Sequence, residues 1–298
     1  MLGESSDFST ILEYGCRTII RQKANANPFF LLILLLVVEV NAIAQFESGT
    51  VVVIGYSHNK IIIAADSRDT EEDGTHHDDS CKITALNDKF FFAASGRISD
   101  MTHGIIGWDA VNQAKETFSA VPKELRTAKY IADYWAQLMD NRIDIHIRPE
   151  EKATLIPRHI FLSAVFAGIG PTGNTEIATS NVEPAMNGGR MRFAYTLPND
   201  TNMGDEMNYL VIGDGAVLFN EFFYATSKRA KREKAVTLKE SKNWPWDETD
   251  TRMLIRVIQL AIHYSGNQGH LGGKIDAAQL YKGGTIRWIQ RKPNCPDN

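Results

Sequence analysis

Residues 50–68 read TVVVIGYSHNKIIIAADSR. Two β-branched, apolar runs, 50–56 and 61–65, flank the polar turn Ser57-His58-Asn59-Lys60. Such a pattern predicts a β-hairpin. Its apolar runs predict that the hairpin has a buried face. A second hairpin is expected from 82–86 and 89–94 around Asn87-Asp88, with Gly96 ending it and Ser99-Asp100 opening a helical stretch. Helices are expected over 104–118 and 128–139, the latter with Ile131, Tyr134, Trp135 and Leu138 on one face. Strands follow at 159–168, 176–180, 192–197 and 209–212, then a helix over 217–234 after Gly213-Asp214-Gly215. Asp250-Thr251 is expected to cap a last helix striped by Leu254, Val257, Ile258 and Ala261, before strands at 275–280 and 285–289. This order of strands, two helices, strands, two helices, strands predicts two sheets face to face with helices outside, an α+β sandwich of one domain.

The 298 residues are 43% hydrophobic and 23% charged, with a net charge of −4. That is ordinary globular composition and gives no basic footprint for nucleic acid. Phe29 to Val38 is an apolar run of ten residues, preceded by Arg17, Arg21 and Lys23 and followed by Ala42-Ile43-Ala44. It falls short of the roughly 20 apolar residues a spanning helix needs, yet fits the core of a secretory leader. We therefore read 1–44 as a leader, 45–49 as a short propeptide and 50–298 as the working domain, extracytoplasmic and without a membrane span in its mature form. The alternatives are a buried element at the domain start and a cytoplasmic protein. Of three cysteines, Cys16 falls in the leader, leaving Cys81 and Cys295. Their spacing matches no zinc site; in an exported protein the two could pair, but the reading favoured here is a free, buried thiol at Cys81.

One constellation stands out chemically. Asp66 closes the run IIIAAD, and Lys82 opens the next hairpin. A buried carboxylate needs a partner, and the lysine is available for the task. On residue types alone, a structural ion pair at a sheet end and a functional pair both remain open.

The stretch Gly49-Thr50-Val51, Ala65-Asp66-Ser67-Arg68 with Thr70, Lys82-Ile83, then Ala94-Ser95-Gly96 with Asp100 resembles the opening of a proteasome β-type subunit. The similarity covers about residues 49–289 and is less detailed in the later half, through FLSAVFAG, IGDG and LGGKID. It implies the four-layer αββα fold of the N-terminal-nucleophile (Ntn) hydrolases. It also implies self-cleavage after Gly49, which frees Thr50 as the nucleophile with its own amine as base. In that frame Lys82 lowers the proton affinity of the threonine, Asp66 orients Lys82, and the Gly96 N–H is the oxyanion donor. Thr70 would pair with an extended substrate, and Asp69, Ser80, Ala94 and Ile98 would line the specificity pocket. Three positions depart from the family: Asp214 stands for a supporting serine, and Gln268 and Leu271 replace polar residues ahead of Gly272-Gly273. Asp214 can still support the terminal amine by accepting a hydrogen bond.

The resemblance implies a threonine-type endopeptidase with a peptide or protein substrate, no cofactor or metal, and homo-oligomeric, ring-type assembly. A non-catalytic structural subunit and an Ntn amidase for a small amide are the competing readings. His76-His77-Asp78-Asp79 has ligand-type side chains, but adjacent loop residues rarely converge on one ion. The basic run 228–234 reads first as a solvated helix face, and 239–248, with Trp244-Pro245-Trp246, as an insertion whose tryptophans anchor a subunit contact or cover the core.

Overall fold

The runs 51–56 and 61–65 pair as an antiparallel hairpin, and its register explains why both are apolar throughout. In β1 (Val52–Tyr56) and β2 (Lys60–Ala65), Val52 lies opposite Ala65 and Tyr56 opposite Ile61. Side chains alternate between faces along a strand. Val53, Ile62 and Ala64 share one buried cluster with helix residues such as Phe219, Leu254 and Ile258. Val52, Ile54, Ile61 and Ile63 share another with Phe91, Ala93, Val165 and Ala167 of a second sheet. Neither face of the two apolar runs meets water, so polar side chains are confined to the turn and to Lys60, whose ammonium pairs with Asp250 at 3.0 Å.

The computed structural model describes residues 50–298 apart from 71–75, 79, 103–104, 158, 188–189, 196–198, 201–203, 214, 266–270 and 296–298. The expected leader 1–44 and propeptide 45–49 thus lie outside the described residues. Short strands β3 (Asp69–Thr70) and β4 (His76–His77) follow β2, then β5 (Ile83–Asn87), β6 (Phe90–Gly96), β7 (Ser99–Thr102) and β8 (Ile105–Asp109). Helices α1 (Ala110–Ala120), α2 (Ala128–His146) and α3 (Pro149–Thr154) precede β9 (Leu162–Ile169), β10 (Thr175–Asn187), β11 (Arg190–Tyr195), β12 (Asn199–Asp200) and β13 (Asn208–Ile212). The chain ends in α4 (Ala216–Phe223), α5 (Lys228–Glu240), α6 (Thr249–Ser265), β14 (Asp276–Tyr281) and β15 (Arg287–Gln290). The fold is mixed α+β. One antiparallel sheet runs β13-β1-β2-β14-β15 and the other β11-β10-β9-β6-β5, with β3–β4 and β7–β8 as two-stranded ribbons.

In the second sheet, β6 also buries both faces. Phe91 and Ala93 of β6 pack toward the first sheet, whereas Phe90, Phe92 and Ala94 join Trp135, Met139 and Ile143 of α2. Phe92, Trp135 and Phe166 form an aromatic triangle with centroids 5.0 to 5.8 Å apart, and the Trp135 indole N–H donates to the Ala110 carbonyl at 3.1 Å.

Local structure departs from the sequence expectation in four places. Ser99 to Asp109 is a hairpin rather than a helix start. Its Trp108 is fully buried, Asp100 is engaged by Arg97 at 2.7 Å, and Asp109 caps α1 by accepting from Asn112 N–H. The stretch 217–234 is two helices, broken where Ala225 takes φ +52° and restarted by the Ser227 cap. Tyr134 is exposed, and the α2 stripe is Ile131, Trp135, Met139 and Ile143. Asp250-Thr251 lies inside the first turn of α6, where Thr251 Oγ1 donates to Gln279 Oε1 at 2.9 Å. Trp246 is 88% exposed and covers no core, and the basic face of α5 is largely exposed.

These packing differences are measurable. Phe166→Ala is expected to lose about 3–5 kcal/mol of unfolding free energy in chemical denaturation, the usual cost of emptying a buried aromatic site. Trp246→Ala is expected to stay within about 0.5 kcal/mol of wild type, as an exposed side chain should.

Candidate active site

Thr50 leads into β1 and is fully buried. The next residue fixes its position: Val51 N–H donates to Asp66 Oδ1 at 3.0 Å, and Asp66 N–H returns a bond to the Val51 carbonyl at 3.3 Å. The other carboxylate oxygen, Oδ2, accepts from Gly272 N–H at 3.1 Å. Asp66 therefore ties the start of β1, the end of β2 and the turn before β14 into one knot.

Ser67 and Arg68 extend the knot, since both N–H groups donate to the Gly272 carbonyl at 3.2 Å. Gly272 lies so close that a Cβ there would fall 2.3 Å from the Arg68 guanidinium carbon. Lys82 enters from the strand opening the second sheet, has a fully buried side chain, and acts electrostatically on Asp66. At the end of β6, Gly96 has φ +99°, and a Cβ would fall 2.4 Å from the Phe161 carbonyl oxygen, so only glycine fits. Its neighbour Ser95 and the Thr50 carbonyl both crowd Gly213, at 2.5 and 2.0 Å from where a Cβ would lie. The structure thus gathers Thr50, Asp66, Lys82 and the Ser95-Gly96 turn at one end of the two sheets.

The other expected site residues are placed less uniformly. Asp69 and Thr70 form β3, opposite His77 and His76, and their side chains lie outside the described residues. Asp214 and Gln268 also lie outside the described residues. Ala94 is buried in the cluster facing the helices, and Ser80 is half-buried. Ile98 lines a cavity of about 210 Å³, together with Cys81, Thr84, Asp109, Lys115 and Arg291. Leu271 is buried in the apolar cluster and touches Gly215, which accounts for an apolar residue there. Asp78 is engaged by the Arg68 guanidinium at 2.6 and 2.8 Å, and its carbonyl accepts from Ser67 Oγ at 2.6 Å. Among the described residues, no cluster of His, Cys, Asp and Glu could hold a metal, and no helix is long and apolar enough to cross a membrane.

Two further features lie beside the site. Cys81 and Cys295 are joined in a disulfide, which corrects the expected free thiol. The two cysteines are 214 residues apart, so no local signal linked them. Lys292, only 4% exposed, pairs with the equally buried Asp276 at 3.1 Å. In the stretch Lys292-Pro293-Asn294-Cys295, nothing marks that lysine as interior.

The electrostatics are dominated by desolvation. Burial pushes the Asp66 carboxyl up to about 7, against the opposing pull of the Val51 and Gly272 N–H groups and the Lys82 and Lys292 ammoniums. Burial likewise pushes Lys292 below the usual lysine range, with Asp276 pulling the other way. Chemically, the gathering offers a hydroxyl residue, an ammonium, a carboxylate and a backbone turn in a dry setting. Compared with protein-family models and with curated proteins, the chain has no significant match.

A raised carboxyl makes a signed prediction. Between about pH 4 and about pH 7 the native state keeps a proton on Asp66 that the unfolded chain has released, so stability falls as pH rises through that window. Asp66→Asn removes that slope. In urea unfolding, the stability of Asp66→Asn relative to wild type should be more favourable at about pH 8 than at about pH 5. An equal difference at both pH values would show that Asp66 has an ordinary carboxyl.

Proposed function

We propose that the chain is a threonine-type amide-bond hydrolase of the proteasome β-like Ntn type, an endopeptidase built on a four-layer αββα sandwich. The observation that carries the reading is the gathering of Thr50, Asp66, Lys82 and the Gly96 turn, residues from three strand ends and a tight glycine position. Fold-level likeness alone would not assign an activity, so the weight rests on these residues.

In the full chain Thr50 has no free amine. Its hydroxyl first attacks the Gly49 carbonyl, the peptide bond shifts to an ester, and water releases the propeptide. The freed α-amine then takes the hydroxyl proton as the oxygen attacks a substrate carbonyl. The Gly96 N–H stabilises the negative charge that develops on that carbonyl oxygen. The amine returns the proton to the leaving nitrogen, and water cleaves the acyl-enzyme. Lys82 keeps the amine and hydroxyl easier to deprotonate, and ionised Asp66 holds Lys82. With Asp66 near 7, this arrangement gains activity as pH rises toward neutrality.

The Cys81–Cys295 bridge supports an extracytoplasmic setting, since such bonds persist in oxidising compartments. A non-catalytic assembly subunit is the second reading. It is favoured by the satisfaction of both Asp66 oxygens by backbone N–H groups, which a purely structural knot would also show. A homo-oligomeric ring fits either reading.

A panel of peptides and small amides, assayed with wild type, Thr50→Ala and Lys82→Met, tests the proposal. Peptide hydrolysis lost by at least about a thousandfold in both variants is the expected outcome. Turnover of small amides alone would replace the peptidase with an amidase. Activity unchanged in Thr50→Ala would overturn both.

A further inference from the structure

The segment after β15 contacts residues that lead into the site. Lys292 Nζ donates to the Ser80 carbonyl and pairs with Asp276 Oδ2 at 3.1 Å, while Lys292 N–H donates to Asp276 Oδ1 at 2.8 Å. Asp276 lies opposite Ala65 in the β2–β14 register, beside the residue that precedes Asp66. Ser80 N–H donates to the Ser67 carbonyl at 3.2 Å, and Ser67 N–H to the Gly272 carbonyl at 3.2 Å. Gly272 N–H closes the path onto Asp66. One residue beyond Ser80, Cys81 is bonded to Cys295, and Lys82 comes next. Cys295 N–H in turn donates to the Lys292 carbonyl at 3.2 Å, so the segment folds back on itself as a short clip.

The fold alone does not require an ammonium here. A buried ion pair is often replaced by apolar side chains at little or no cost to stability. What an apolar residue cannot do is hold the Ser80 carbonyl while satisfying Asp276. That carbonyl belongs to the two-residue lead into Lys82, whose ammonium must be placed to within a fraction of an ångström to act on a nucleophile.

We infer that Lys292 is a positioning residue for the hydrolytic site, and that the segment 291–295, clipped by Asp276 and the Cys81–Cys295 bridge, holds Lys82 in register with Thr50 and Asp66. The inference rests on the hydrolase reading above. It adds to Thr50, Asp66 and Lys82 a second carboxylate–ammonium pair contributed by the far end of the chain.

The test uses the processed protein, beginning at Thr50, and a peptide β-lactone as probe. The Thr50 oxygen attacks the lactone carbonyl, the ring C–O bond opens to a hydroxyl that takes up the proton, and the protein gains the whole probe mass. Wild type, Lys292→Met and Cys295→Ser are compared for the limiting acylation rate, the half-saturating lactone concentration and the thermal midpoint. The expected result is a limiting rate lower by about tenfold or more in both variants, with half-saturation within about threefold of wild type. A limiting rate unchanged in either variant that remains folded overturns the inference alone. So does a rate that falls only in proportion to a lost folded fraction. If one variant fails to fold, the other decides. A wild type that begins at Thr50 and is never acylated overturns the hydrolase reading, and the inference with it.

Discussion

A single buried carboxylate organises this end of the molecule. Asp66 cannot be solvated where it sits, so its two oxygens must be met from within. They are met by the N–H of Val51, which leads β1, and by the N–H of Gly272, which leads toward β14. Three neighbouring strands of one sheet are thereby fixed at their ends by one side chain. Lys82 reaches the same point from the opposite sheet, and Ser95 reaches Gly213 beside the Thr50 carbonyl. Remove the carboxylate and two buried backbone donors lose their acceptor, a cost felt by the fold before any chemistry is considered.

That constraint works because the sheets behind it are stiff. β1, β2 and β6 are buried on two faces, one facing the other sheet and one facing helices. A one-residue slip would exchange those faces throughout a strand. Val52 opposite Ala65 and Phe92 opposite Phe166 are therefore held in register by packing, which places the strand ends reproducibly. The Cys81–Cys295 bridge adds a covalent tie across the lead into Lys82. A site made of strand ends gains its precision from the core rather than from its own hydrogen bonds.

Much of this is legible in the residues, for physical reasons that differ from place to place. The hairpins 50–65 and 82–96 declare themselves because β-branched and aromatic runs broken by short polar turns have few other uses. Asp66 and Lys82 stand out because they are charged residues set where those runs end and begin, whereas Thr50 and Gly96 become candidates through the family resemblance. Ser99-Asp100 mimics a helix cap, yet the Asp100 carboxylate is taken by Arg97 and a buried Trp108 holds the segment extended. Tyr134 fits the helical period, but the stripe turns through Met139 and Ile143 instead. Cys81 with Cys295, and Lys292 with Ser80, are long-range contacts whose partners are set by tertiary packing. No window of sequence contains both members of either pair.

The central claim is that Thr50 becomes a chain terminus. Intact mass and N-terminal sequencing of the mature protein, purified from the cells that make it, address this without any choice of substrate. The account predicts a single chain that begins at Thr50 in wild type and retains Gly49 when Thr50 is replaced by alanine. A mature wild-type protein that begins at Gln45, or is not cut before Thr50, would contradict it and leave the Asp66 knot a device of structure alone.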